Sequence, residues 1–512
     1  MRPPQRQDCP CPAHIIDHVE TTASLCGKRA RVASADEVKS AQQQVFILTL
    51  CFEESKTDHC SQQRGEETVP PSNENTRQIS ARIQTAISKG NNKIVARVWK
   101  GSARWWNLNT NDASGTMRGK IDIARSEVAG YRIARAAMST PHASANAGIV
   151  SSENDKVIIP EVIYFSCDYR GDKANSVVET VEHRQREEEN PWAILSYVGE
   201  DSCYFQGNTD GNDSSPQHSS PWIFDGQYAK DMVKIRHEFG FDEPHPRWGR
   251  VKEDQALNYA IRVLDRVILP IQSTFSPSID IKNTCDCFGG HEEDLVVLGR
   301  PSSMKPKPFR FIDMVAIYCD AATKMSKTIH QTSDAIDNTT AKLLSALHIC
   351  IENLANEAKA CAYLSGSDVL PASLCHMDVQ PQNLILRRHK GEEYDVNVVP
   401  FVSSVLDWEE ACYADPRFEV LLMARKVCAN RKQADKLWEH YSHQLKKRHN
   451  LDVAPIEPWL KLETTHSITT LLLQNMNLVG GGRNPWESKP DLLGKIEREF
   501  SRLEALGWDI AM

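Results

Sequence analysis

The chain has 512 residues, enough for two to four domains or lobes of ordinary size, each with its own core. Hydrophobic residues make up 40% and charged residues 25%, so most of the chain is expected to fold. A formal net charge of −8 argues against a general nucleic-acid binder, which would carry a basic excess.

The fifteen cysteines are scattered and odd in number. No apolar stretch follows Met1 to Asp8, so no secretory signal is expected. The longest apolar run, residues 45–52, falls far short of the ~20 residues a membrane helix needs. The expectation is a soluble chain in a reducing, cytoplasmic setting, with thiols mostly buried and free and no membrane or nucleic-acid partner. Cys9 and Cys11, and Cys285 and Cys287, are Cys-x-Cys pairs, which is not the usual spacing for zinc.

Residues 1–44 show no sustained period, and residues 53–79 are polar and hold Pro70-Pro71. Residues 1–78 therefore read as a poorly ordered extension. Within it, residues 45–52 suit either a strand or a buried turn of helix, and the pattern does not decide. Order is expected from Ile79 onward. Residues 93–99 read as a strand, with Gly90-Asn91-Asn92 as the tight turn before it. Residues 121–136 read as a helix whose Ile123, Glu127, Tyr131 and Ala134 share one face. Strands follow at 157–165 and 192–198, separated by a charged insert at 183–189.

Residues 201–220, rich in Gly, Asn, Asp and Ser, mark a break between lobes. Helices are expected at 255–268 and 339–362, with a polar, irregular insertion at 276–307 between them. Further helices are expected at 417–431, 434–448, 459–474 and 493–506. The fold class is therefore α+β: a small strand-rich lobe over 79–200, a linker at 201–220 and a larger helical lobe over 221–512.

The strongest chemical signal is His376-x-Asp378-x-x-x-x-Asn383. Leu384-Ile385-Leu386 follow as a strand, and an apolar run from Val398 to Leu406 ends at Asp407-Trp408-Glu409. A hairpin of these two runs brings Asn383 and Asp407 to the same end. One carboxylate and one amide oxygen suit Mg²⁺, a hard cation that fills its octahedron with water and phosphate oxygens. Asp378, on the loop entering the first strand, is placed to accept the proton of a hydroxyl attacking a γ-phosphate.

These residues resemble the catalytic loop and metal segment of the aminoglycoside phosphotransferase and choline kinase-like families, relatives of the protein kinases. There the loop reads His-Gly-Asp-x-x-x-x-Asn and the later segment Ile-Asp-Trp-Glu. Ala414-Asp415-Pro416-Arg417-Phe418-Glu419 is similar to the family's Gly-Asp-Pro-x-x-Asp, with Glu419 in place of the last Asp. The resemblance is strong over residues 374–425 and weaker over 93–200. It implies a two-lobed, protein kinase-like fold, with ATP as phosphate donor and Mg²⁺ as cofactor. It makes Asp378 the catalytic base, Asn383 and Asp407 the metal ligands, and His376 the residue that holds the loop.

Kinase-like folds also use a basic residue on a strand of the first lobe, paired with a helix glutamate, to hold phosphates. Glu127 fits the acid, and Arg97 stands where the family usually has Lys; Lys100, just past the strand, is the alternative. Ser196 to Val198, before Gly199, resembles the hinge whose backbone meets adenine. Gly90 is the only glycine placed for a phosphate loop. Glu409, Glu410, Asp415 and Glu419 give an acidic bias that suits either a cationic acceptor or plain capping and surface roles. Trp222, Trp248, Trp459 and Trp486 suit either an ammonium cage or packing.

The expected function is an ATP- and Mg²⁺-dependent kinase acting on a hydroxyl of a small molecule, such as an amino sugar or a choline-like alcohol. A protein kinase fits less well: Asp407 is followed by Trp-Glu rather than Phe-Gly, and no Ala-Pro-Glu follows. The alternative is a catalytically silent kinase-like protein that binds nucleotide or acts as a scaffold.

Overall fold

A computed structural model of the chain describes residues 10–24, 28–39, 43–54, 74–89, 92–99, 117–139, 157–167, 190–198, 253–272, 309–332, 338–360, 364, 370, 372–379, 383–387, 401–428, 431–453, 456–475, 478 and 488–510. Two compact units emerge, one taking in Met1–Ser102, Asp112–Arg132 and Ile159–Glu200, the other Ala103–Asn111, Ile133–Ile158 and Asp201–Met512. The first is rich in strands and the second mainly helical, as the α+β reading requires. The expected linker at 201–220, the insertion at 276–307 and Lys100 lie outside the described residues.

The first unit opens with α1 (Ala13–Ala23), β1 (Lys28–Lys39), β2 (Gln43–Glu54) and α2 (Glu74–Lys89). The expectation of poor order across residues 1–78 is corrected for α1, β1, β2 and the first residues of α2, which from Ile79 onward runs where order was expected. In α1, Ile15, Ile16, Val19 and Ala23 recur at helical spacing and are buried. β1 offers few large apolar side chains; antiparallel pairing with β2 along its length makes it a strand. Residues 45–52, which fitted strand or helix, are β strand because β2 pairs on both sides, with β1 and with β3 (Lys93–Trp99).

α3 (Met117–Ser139), β4 (Val162–Phe165) and β5 (Trp192–Ser196) complete the elements of this region, giving a five-stranded antiparallel sheet in the order β1-β2-β3-β5-β4. Strand alternation sorts the two faces. Ile94, Ala96 and Val98 join Phe46, Leu48 and Leu50 in a core covered by α1 and α2 through Ile16, Val19, Ile83 and Ile87. Arg97 and Trp99 therefore point to the opposite face. Of the turn expected at Gly90 to Asn92, Asn92 is described: it donates its N–H to the carbonyl of Ile87 (2.9 Å) and has φ of 64°, between α2 and β3, while Gly90 and Asn91 lie outside the described residues.

The second unit begins, among described elements, with α4 (Glu253–Val263), which runs through a π-helical turn (Leu264–Ile268) into Leu269–Gln272. α5 (Phe311–Thr332) and α6 (Asn338–Ala360) follow. Three short pieces then alternate: β6 (Ser373–Cys375), β7 (Leu384–Arg387) and β8 (Phe401–Val405), with β9 (Cys412–Ala414) pairing back onto β6. Four helices close the chain: α7 (Pro416–Val427), α8 (Arg431–His449), α9 (Glu457–Gln474) and α10 (Lys489–Ala505). The helix expected over 417–431 ends at Val427, where Cys428 turns extended with ψ of 146°, and the helix expected from 434 already starts at Arg431.

α9 is buried on nearly every side, from Trp459 and Leu462 to Ile468 and Leu472. Its buried hydroxyls remain satisfied: Thr464, Thr465 and Thr469 each donate to the carbonyl one turn earlier. No described helix is long and apolar enough to cross a membrane.

Candidate active site

In the second unit, two small antiparallel pairs deliver the motif residues. β7 pairs with β8, with Leu384 opposite Val405, and Leu406 continues the ladder by donating its N–H to the carbonyl of Asn383 (2.8 Å). Asn383 and Asp407 thus lie at the same end of one hairpin. β6 pairs with β9, with Cys375 opposite Cys412, which brings the start of the His376 loop beside the stretch that follows Asp407.

His376 is buried and links the two pairs. Its Nε2 lies 2.8 Å from the carbonyl of Leu406, and its Nδ1 accepts the backbone N–H of Asp378 (3.2 Å). An acceptor role at Nδ1 and a carbonyl facing Nε2 together specify the neutral Nε2–H tautomer. Burial lowers the imidazole pKa below its usual value, which keeps that tautomer; the Asp378 charge pulls the other way. The ring also lies against Trp408, centroids 4.5 Å apart, and Trp408 is fully buried with its indole N–H donated to the carbonyl of Val405 (3.3 Å). The Trp of Asp-Trp-Glu is therefore a core plug that steadies both His376 and the residue before it.

Met377 has φ of 65°, where the resembling motif carries Gly, and Asp407 has φ of 63° and ψ of 65°. Left-handed backbone is costly for a non-glycine side chain, and Asp tolerates it better than Met. At Met377 the turn is held by Glu419, whose carboxylate accepts the N–H groups of both His376 and Met377. Glu419 sits in the first turn of α7, and Asp415 caps that helix by accepting the N–H of Arg417 (3.1 Å) ahead of Pro416. Burial pushes the Glu419 carboxyl up to about 7, against donation from Gln272, His376 and Met377.

Asp378 is the half-exposed member of the group. The Asn383 amide nitrogen donates to its carbonyl (2.9 Å) and to its Oδ2 (2.8 Å), which leaves Asn383 Oδ1 uncommitted by either bond. Lys426, from the last turn of α7, pairs with Asp378 Oδ1. Carboxylate oxygens of Asp407 and Glu409 lie within 4.8 Å of each other. Asn383 lies at the same hairpin end, and side-chain oxygens of this kind are donors that suit a hard divalent cation.

The acidic bias after Asp407 divides. Asp415 and Glu419 are consumed structurally, Asp415 in a buried bidentate pair with Arg417 (2.8 and 3.0 Å) that stacks on Trp459 at 4.4 Å. Neither is available to a cationic acceptor. Glu409 and Glu410 remain half-buried near Asp407. Trp459 is fully buried and packs edge-on against Phe311, so it belongs to the core. Trp222, Trp248 and Trp486 lie outside the described residues.

In the first unit, Arg97 and Glu127 meet. Arg97 Nη2 is 2.8 Å from Glu127 Oε1, the carboxylate fully buried and Arg97 nearly so. Trp99, two positions along β3 on the same face, donates its indole N–H to Glu127 Oε2 (2.6 Å). Period-two spacing in β3 could have nominated Trp99 as the third member. Ser196 ends β5, its hydroxyl accepting the N–H of Glu161 (2.8 Å) and its own N–H donated to the Glu161 carbonyl (2.9 Å). Val198 follows as half-buried chain, and Gly199 lies outside the described residues. Lys426 was not legible from spacing, since it lies 48 residues from Asp378 in the chain.

No family model matches the sequence, and no curated protein is similar to it. Among solved structures, the chain is similar to a wild-type aminoglycoside 2′-phosphotransferase in its GDP complex, at 11% identity and TM-score 0.41, covering 96% of this chain and 98% of that one. It is similar to a type I macrolide 2′-phosphotransferase at 10% identity and TM-score 0.37, covering 95% and 97%. A choline/ethanolamine kinase family protein from Mesorhizobium loti gives 12% identity and TM-score 0.32, covering 93% and 88%. Scores at this level leave the chemistry to be read from the side chains.

Proposed function

We propose that this chain is an ATP- and Mg²⁺-dependent phosphotransferase that moves the γ-phosphate to a hydroxyl of a small molecule. The carrying observation is the hairpin end that Asn383 and Asp407 share, where Asn383 also grips the Asp378 carboxylate. Asp378 is the base, with one edge half-open to an incoming hydroxyl. Asn383 Oδ1 and Asp407 would hold Mg²⁺, with Glu409 as a further carboxylate close by. When bound, the ion neutralises charge on the phosphates.

The protein's own part is alignment. Asn383 fixes the Asp378 carboxylate from one side, and His376 ties the loop to Leu406 without joining in proton transfer, because its neutral tautomer is already spent on two hydrogen bonds. Arg97, held by Glu127 and Trp99, supplies the positive charge of the first unit, and we assign it to phosphate binding. Ser196 and Val198 are assigned to adenine through backbone groups, at Ser196 through the carbonyl, since its hydroxyl and its N–H are both engaged with Glu161.

The test is phosphate transfer from Mg-ATP, with Mg-GTP in parallel, to a panel of amino sugars, choline-like alcohols, sugars and hydroxy amino acids. Asp378→Asn should lose transfer by roughly 10²- to 10⁴-fold, the range of a general base, while still binding Mg-nucleotide. Nucleotide binding with the same slow turnover in wild type and Asp378→Asn would instead identify a silent, scaffold-type protein.

A further inference from the structure

The loop from His376 to Asn383 contains no lysine or arginine, so any cation beside the base must come from another element. Lys426 is that cation among the described residues. Its ammonium pairs with Asp378 Oδ1 while Asn383 holds Oδ2, so the carboxylate is clamped at both oxygens. Lys426 and Asp378 retain 31% and 21% side-chain exposure, which leaves the pair open to an incoming group.

The placement is built into α7. Glu419 and Lys426 are seven positions apart, two helical turns, and so share a face; the first holds the loop at His376 and Met377, the second at Asp378. The neighbouring Arg425 is spent elsewhere, on Glu463 and Glu499 of α9 and α10, which anchors the end of the helix that carries Lys426. Burial is the main reason the His376 and His466 imidazoles stay neutral; the Lys426 charge adds to it at both, and Arg425 adds at His466.

We propose that Lys426 is a positioning residue of phosphate transfer, orienting the Asp378 carboxylate and offering its remaining N–H donors to the phosphoryl group that arrives there. This rests on the phosphotransferase reading above. In the step, the acceptor oxygen bonds to the γ-phosphorus as the bond to the bridging oxygen breaks and ADP leaves with its electron pair. The acceptor's proton passes to Asp378. An acceptor oxygen within hydrogen-bond reach of Asp378, ~2.6–3.2 Å, is next to the Lys426 ammonium, where charge spreads over the equatorial phosphoryl oxygens. Lysine suits this task because its three donors rotate on a flexible stem.

The experiment compares wild type, Lys426→Met, Lys426→Arg and Asp378→Asn/Lys426→Met. Turnover of Mg-ATP is followed with water and with the acceptor panel, alongside Mg-ATP binding by calorimetry and the unfolding midpoint. Lys426→Met should lower kcat roughly 10- to 100-fold with KM and Kd for Mg-ATP within about twofold, and Lys426→Arg should recover most of the loss. The double variant should be no slower than Asp378→Asn alone. Normal kcat in Lys426→Met, in an enzyme that Asp378→Asn inactivates, overturns this inference and leaves the phosphotransferase reading standing. A loss that tracks a fallen unfolding midpoint and is not recovered by Arg makes Lys426 a structural clamp and also overturns it. A wild type with neither Mg-ATP binding nor turnover overturns both.

Discussion

Replacing Glu419 tests how one buried carboxylate holds the loop that carries Asp378. Its Oε1 accepts the N–H groups of His376 and Met377, and its Oε2 accepts the Gln272 amide (3.0 Å). Glu419→Ala strands the two loop N–H groups, while the Gln272 amide nitrogen keeps the Pro416 carbonyl (3.2 Å); at about 1–3 kcal/mol per unsatisfied buried donor, a loss of roughly 2–6 kcal/mol is expected. Glu419→Gln keeps an acceptor toward the loop and should lose much less. The pH dependence gives a sharper reading. Burial raises the carboxyl from 4.5 to about 7, so between those values the folded protein keeps a proton that the unfolded chain has shed. The associated stability is fully present below the unfolded pKa and is lost as pH rises through the folded one. That rise corresponds to about 3 kcal/mol, an upper figure because three donors favour the anion. Glutamine has no such proton. Urea unfolding of wild type and Glu419→Gln, from about pH 4 to 8, should show wild type losing ground between about pH 4.5 and 7 and levelling off beyond. Parallel curves would refute the reasoning.

Other outcomes follow from the same geometry. Glu127→Ala leaves the Arg97 guanidinium without its carboxylate and the Trp99 indole N–H unsatisfied, and should lower stability by about 3–5 kcal/mol in denaturant unfolding. Joint replacement of Arg97 and Glu127 by Met and Leu should recover most of that stability while Mg-ATP binding, read by calorimetry, stays weak. Asp407→Ala should raise the Mg²⁺ concentration for half-maximal turnover about tenfold or more, and a metal titration superimposable on wild type would remove Asp407 from the ligand set. His376→Phe keeps the ring against Trp408 but loses both imidazole hydrogen bonds. It should lower kcat while leaving the shape of the rate profile from about pH 7 to 9 unchanged, since the imidazole is already neutral there.

Much of the architecture was legible where local pattern carries the information. β3 was readable to the residue, because turn residues bound a short β-branched run. The α3 face of Ile123, Glu127, Tyr131 and Ala134 is buried as its spacing implied. Three helices were overlooked although their signals were present. In α1, Ile15, Ile16 and Val19, in α2, Ile83, Ala86 and Ile87, and in α5, Phe311, Met314, Val315 and Tyr318, stand at helical spacing; polar flanks obscured them. β1 carried no comparable signal. Its charged and small residues become a strand only because β2 pairs with it.

The sequence by itself determined the chemistry available: a carboxylate at 378, an amide at 383 and a carboxylate at 407, on two runs able to form a hairpin. Those identities and short spacings are local, so they survive in a one-dimensional reading. Only the tertiary structure decided who holds them. Lys426 on Asp378, Glu419 under the loop, His376 on Leu406 and Trp99 on Glu127 are contacts between residues distant in the chain. Such pairings depend on how helices and strands pack. Tertiary structure also decided that Asp415 and Glu419 are internal supports, because burial and capping turned two apparent surface acids into the frame that carries Asp378.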